Sequence, residues 1–145
     1  MKKTICLLSY AALCAAVLLT GCGKKGPPRE EVFPVSGQIL LEGKAIPNAQ
    51  VTLVPTPSNP NGVIANAVTD HEGKFAVTTY VTGDGAAQGE YAVVVRCEPL
   101  IKNGQSFERG PNILPAKLSD AKTTDWKIQV AAQESNVLPP QKLKR

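Results

Sequence analysis

The sequence predicts an all-β protein: a β-sandwich of about seven strands behind an apolar leader and a Pro/Gly-rich spacer. Two observations carry that expectation. Between Val35 and about Ala132, apolar residues recur at every second position in short runs broken by Gly, Pro, Asn and Asp. Strict alternation buries one face of a strand and leaves the other in water. No helical period survives over the same stretch, and five or more alternating runs with turns between them pack as two facing sheets.

Taken in order, residues 1–21 read as a cleaved helical signal segment. Lys2 and Lys3 give it a positive start, and Ile5 to Leu19 is apolar apart from Ser9 and Tyr10. Fifteen helical residues at about 1.5 Å each reach roughly 22 Å, short of a hydrocarbon core of about 30 Å. The segment therefore suits export better than permanent spanning. It ends Leu19-Thr20-Gly21-Cys22. A plain signal peptide with an unmodified Cys22 is one reading. The other follows from likeness: these four residues closely resemble the lipobox of bacterial lipoproteins. The resemblance implies cleavage between Gly21 and Cys22 and attachment of diacylglycerol to Cys22, usually with an N-acyl chain, the acyl groups being of the palmitate type. Two or more chains, at about 0.8 kcal/mol per buried CH₂, anchor stably where one does not. Gly23 stands where that family's sorting rule puts aspartate for inner-membrane retention, which points to the outer membrane in a cell that has one.

Removal of the leader changes the charge balance. Lys2 and Lys3 depart, leaving 14 basic residues against 12 acidic, a net charge of +2. That gives no ground for a nucleic-acid partner. Lys24, Lys25 and Arg29 lie beside the expected anchor, where anionic headgroups attract basic side chains; they equally serve as a solubilising spacer. Of the four cysteines, Cys6 and Cys14 depart with the leader and Cys22 is modified. Cys97 is then left without a disulfide partner. Residues 22–34 are rich in Gly, Pro and charge and read as a flexible tether to the membrane.

The domain is expected over 35–132. Val35, Gly37, Ile39 and Leu41 form the first series, and Ala49, Val51 and Leu53 the next. Val63 to Thr69 adds an ambiguous strand. Phe75 and Val77 continue, followed by Tyr91, Val93, Val95 and Cys97, then Trp126, Ile128 and Val130. The place of Cys97 at the end of an inward series makes it a buried thiol. Glu42-Gly43 suits a tight hairpin. In Asp70-His71-Glu72-Gly73, Asp70 accepts backbone hydrogen bonds and Gly73 takes the left-handed position. Two carboxylates are too few for a calcium loop, so no metal is expected there. Residues 133–145 carry Lys142, Lys144 and Arg145 and read as a basic disordered tail.

Val35-Ser36-Gly37-Gln38-Ile39, Gly43 to Val51, Thr69 to Phe75 and Gly89-Glu90-Tyr91-Ala92-Val93 together resemble the carboxypeptidase regulatory-like domain. They stand in that family's order over about residues 33–97. The resemblance implies a prealbumin-like (transthyretin-like), Ig-like Greek-key sandwich. It also implies a mostly non-catalytic role, accessory, adhesive or structural, with no cofactor.

Two loops remain. The Gly-rich 82–89 loop lacks a lysine and leads into a strand, so it does not read as a phosphate cradle. Residues 99–122, with Phe107, form a long polar connection and the first place to look for a ligand surface. Three functions follow. The first is a non-enzymatic, lipid-anchored module of the cell envelope that is structural or protein-binding. The second is a carbohydrate or cell-wall glycan binder using Phe33, Tyr80 or Phe107, aromatics outside the core series. An enzyme would need His71 or a shifted carboxylate as its base, and no partner is spaced for it.

Overall fold

The computed structural model describes residues 29–144. The expected leader and the Gly21–Cys22 junction lie outside the described residues. Within them the chain is an all-β sandwich, with a short 3-10 turn at Ala116–Ser119. Its strands are β1 (Val32–Phe33), β2 (Val35–Leu41), β3 (Lys44–Ala45), β4 (Gln50–Pro55), β5 (Ala65–Val68), β6 (Lys74–Ala76), β7 (Ala86–Ala87), β8 (Gly89–Arg96), β9 (Leu100–Asn103), β10 (Ser106–Arg109), β11 (Lys127–Val130), β12 (Asn136–Val137) and β13 (Gln141–Leu143). The count exceeds the expected seven because several are pieces of two to four residues.

One sheet is antiparallel throughout, in the order β11-β8-β4-β5. The other is built on β2. Its Val35 carbonyl and Ile39 N–H bond toward the β6 side, while the carbonyls of Pro34 and Ser36 bond toward the C-terminal strands. Thus β6 and β3 flank β2 antiparallel on one side, and β12 and β13 run parallel to it on the other. The inward residues are those the alternation selects. Val35 and Ile39 face Val51 and Leu53, with Phe75, Tyr91, Val93, Val95 and Val130 completing a single core. Val63 to Thr69 contains β5, and Trp126 packs half-buried against the core edge.

The turns follow the local chemistry. Glu42 and Gly43 both take positive φ, 52° and 82°, as a type I′ hairpin requires. Asp70 Oδ1 accepts the N–H groups of Glu72 at 2.8 Å and Lys74 at 2.9 Å, and these bonds hold its carboxyl below the usual range.

Two boundaries move. The expected tether, 22–34, overlaps the domain: Val32 and Phe33 pair with Ala87 and Ala86. The expected disordered tail is not one. Asn136 and Leu143 are buried, and both C-terminal strands complete the β2 sheet. Asn136 makes the difference: its Oδ1 accepts the Ala131 N–H at 3.0 Å, and its backbone N–H reaches the Pro34 carbonyl at 2.8 Å. Parallel pairing to a strand a hundred residues earlier leaves no local mark in a Pro-rich, basic segment.

Candidate functional site

The chain enters the domain at one pole, held by Tyr80. The Arg29 guanidinium lies 5.1 Å above the Tyr80 ring, and the Glu30 N–H donates to its hydroxyl at 3.2 Å. Tyr80 is therefore engaged rather than free as a sugar platform. Beside it opens a cavity of about 330 Å³ lined by Glu30, Glu31, Phe33, Asn59, Asn61 and Gln88. An aromatic edge ringed by carboxylates and carboxamides has the chemistry to hydrogen-bond polyhydroxyl compounds.

Asn59, 8% exposed, is the fixed wall of this cavity. It is wedged between Gly62 and Gly89, where a Cβ at either position would overlap its carboxamide. Behind it sits the Tyr91 hydroxyl, fully buried and, among the described residues, without a hydrogen-bond partner. Burial pushes this phenol above its ordinary pKa, offset in part by the neighbouring Asn59 side chain and Val63 backbone.

A wider groove of about 800 Å³ runs over the outer face of the first sheet, between Pro55, Pro57, Ala92, Thr123 and Lys127. Its far wall is stiffened by the Lys117–Asp125 ion pair and by the Thr124 hydroxyl, which donates to the Val93 carbonyl at 2.9 Å.

Two acidic side chains near the chain's entering pole, Asp84 and Glu90, are occupied locally. Asp84 accepts three N–H groups, from Thr79 at 2.7 Å and from Tyr80 and Val81 at 2.9 Å. Those donors converge on a carboxylate of the Gly-rich loop itself. Partial burial pushes the Asp84 carboxyl up, but the N–H groups outweigh that and leave it below the usual range. Glu90 accepts from Ser58 at 2.5 Å and Thr56 at 3.3 Å, which holds it low as well. Among the described residues, no group of three or more His, Cys, Asp or Glu is placed to hold a metal, and no helix is long and apolar enough to cross a membrane. His71 is exposed on its turn, while Cys97 is buried, and that burial raises its thiol pKa.

Residues 99–122 contain an unforeseen element. β9 and β10 form a hairpin outside both main sheets, every residue of it exposed. Gly104, at φ 62°, opens its two-residue turn. A glycine followed by one residue, between Leu100-Ile101-Lys102-Asn103 and Ser106-Phe107, is the hairpin signal that sequence reading missed. The base of the loop is pinned by Asn112, whose Oδ1 accepts the Cys97 N–H at 2.9 Å and whose Nδ2 donates to Ser119 at 2.8 Å. Of the three aromatics outside the core series, Phe33 lines the polar cavity and Phe107 lies exposed on this hairpin.

No protein-family model matches the chain. No curated protein matches it either. Among solved structures, a 9R-lipoxygenase from Cyanothece PCC8801 is similar at 14% identity and a TM-score of 0.42. The match takes in 97% of this chain but only 23% of that one. A likeness of that size carries no functional argument.

Proposed function

We propose that this chain is a non-enzymatic, lipid-anchored protein of the bacterial cell envelope, a structural or protein-binding module of the carboxypeptidase regulatory-like type. The observation that carries the reading is Leu19-Thr20-Gly21-Cys22 at the end of an apolar leader. Cys22 becomes the first mature residue and takes the acyl chains that hold the protein at the cell membrane or, since Gly23 stands in place of the retaining aspartate, at the outer membrane of a cell that has one. The sandwich fold supports the reading, as does the absorption of Asp70, Asp84 and Glu90 into local hydrogen bonds. Cells fed labelled palmitate should yield labelled protein in the membrane fraction, and Cys22→Ala should abolish the label. Wild-type protein that stays unlabelled and soluble would overturn the proposal.

The cavity at the chain's entering pole favours a second reading, a carbohydrate or cell-wall binder. Phe33 would supply the apolar contact, and Asn61, Gln88 and Glu31 the hydrogen bonds. Purified peptidoglycan should then retain the protein and release it on Phe33→Ala. Equal retention of both forms would remove that reading.

A further inference from the structure

The β9–β10 hairpin has two chemically different faces. Its register sets Phe107 opposite Lys102 and Arg109 opposite Leu100. Directly paired residues share a face, as do alternate residues along a strand. Leu100, Lys102, Phe107 and Arg109 therefore point one way, and Ile101, Asn103, Ser106 and Glu108 the other. The second assignment is visible in a hydrogen bond: Asn103 Nδ2 donates to Glu108 Oε1 at 3.1 Å. Ile101 turns toward Gly110, leaving no room for a Cβ there.

The first face thus combines two large apolar side chains, 68% exposed at Leu100 and 65% at Phe107, with two cations. Lys102 has no ion pair among the described residues. Arg109 reaches Glu98, at the long distance of 3.9 Å, and its side chain stays two-thirds exposed. The acid of the hairpin, Glu108, is on the opposite face. A free two-stranded hairpin is marginal in water, and an apolar face on one calls for cover. Segregated cations beside Leu and Phe are complementary to a surface with an apolar interior and anionic headgroups, where Lys and Arg heads stay at the polar level. A second copy of the same face would set Lys102 and Arg109 against like charge.

We propose that the Leu100, Lys102, Phe107 and Arg109 face of the hairpin docks on an anionic lipid bilayer. This deepens the envelope reading and rests on it for access to a membrane. It also sets an orientation. The chain enters beside the start of β8, and the hairpin follows its end. Eight strand residues separate the two by about 25 Å. Cys22 to Pro28, extended, reach roughly 24 Å. A domain held at both poles lies along the surface rather than standing away from it.

The test uses the full acylated chain in vesicles. Trp126, the sole tryptophan, is replaced by Phe, and Phe107→Trp places a reporter on the face. With bromolipids in phosphatidylglycerol-containing vesicles, the reporter should be blue-shifted and quenched. In pure phosphatidylcholine it should stay water-like. Lys102→Glu with Arg109→Glu should lower the docked fraction on the order of tenfold. A Val137→Trp reporter in the same background, exposed on β12 near the tethered pole, should be quenched less than the one at position 107. Water-like emission on anionic vesicles overturns the proposal, as does equal quenching at position 137. A shift on polyglutamate without one on anionic vesicles assigns the face to an acidic protein and overturns it too. Acylation is read separately by mass: an unmodified Cys22 with a quenched reporter overturns the anchor alone, and an acylated Cys22 with a water-like reporter overturns the docking alone.

Discussion

The Phe75 ring lies over Gly37, its registered partner on the neighbouring strand, with the ring Cζ 2.7 Å from where a Gly37 Cβ would stand. Both residues belong to the inward series of their strands, so one aromatic fills the space of two side chains. The glycine of Val35-Ser36-Gly37 is thus explained by packing rather than by an unusual backbone angle. A glycine covered by a cross-strand aromatic is a recurring device in sheets.

Gly37→Ala should therefore overpack the core and cost about 1–3 kcal/mol. Phe75→Ala should cost about 3–5 kcal/mol by opening a cavity. The two changes should be non-additive, because the second relieves the clash of the first. Urea unfolding of the two single variants and the double variant checks this. Simple additivity would show that the ring and the glycine do not share the space.

Thr69, just after β5, ties that strand to the turn between β3 and β4. Its hydroxyl donates to the Ile46 carbonyl at 2.6 Å and accepts the Ala49 N–H at 2.8 Å, all in a buried setting. Thr69→Val keeps the shape but strands both backbone groups, and should cost about 1–3 kcal/mol. Thr69→Ser retains the hydroxyl and loses a methyl, and should cost about 1 kcal/mol. The order of the two urea midpoints is the measurement. A Val variant as stable as the Ser variant would remove the hydroxyl from the account.

Val35, Ile39, Tyr91 and Val95 announce their faces because burial acts on each residue singly and alternation records it. Glu42-Gly43 and Asp70 announce their turns because backbone geometry is local. The partners of Gly37 and Thr69 are set by strands many positions away, so their types are visible but their reasons are not. Tyr80, read as a free aromatic, is occupied by the incoming chain at Arg29 and Glu30. The polar cavity was invisible for the same reason: Phe33, Asn59 and Gln88 converge only after folding.

Asp84 gives the acid side of the stability profile. Its burial raises the carboxyl pKa, and the N–H groups of Thr79, Val81 and Tyr80 lower it by more, so the net shift is downward. A folded value below the unfolded one, about 3.9, favours the ionised form in the folded protein. The corresponding stability is present above about pH 4 and is lost as pH falls through the lower folded value. Asp84→Asn should cost about 1 kcal/mol at pH 7 through a weaker acceptor. The gap to wild type should narrow below about pH 4. Urea midpoints of both proteins at pH 7 and pH 3 decide it, and a constant gap would mean that the charge contributes nothing.

The C-terminal strands hold one edge of β2. Leu143 is buried against the core, and its carbonyl accepts the Glu42 N–H at 2.9 Å, tying β13 to the turn that follows β2. Asn136 closes the other end of the pairing through Pro34 and Ala131. Without these strands one edge of β2 is open, including the Pro34 and Ser36 carbonyls, and the inner faces of Val35 and Leu41 lose their cover. Leu143→Ala should cost about 2–4 kcal/mol, and Asn136→Ala about 1–3 kcal/mol by stranding buried backbone groups. Removal of everything after Ala132 should cost more than either and broaden the thermal transition. Lys144→Ala, at an exposed position past the last strand, should leave the midpoint within about 0.5 kcal/mol of wild type. A truncated protein that melts like the full chain would mean that residues 133–145 are a solvated tail and that β2 stands as an edge strand.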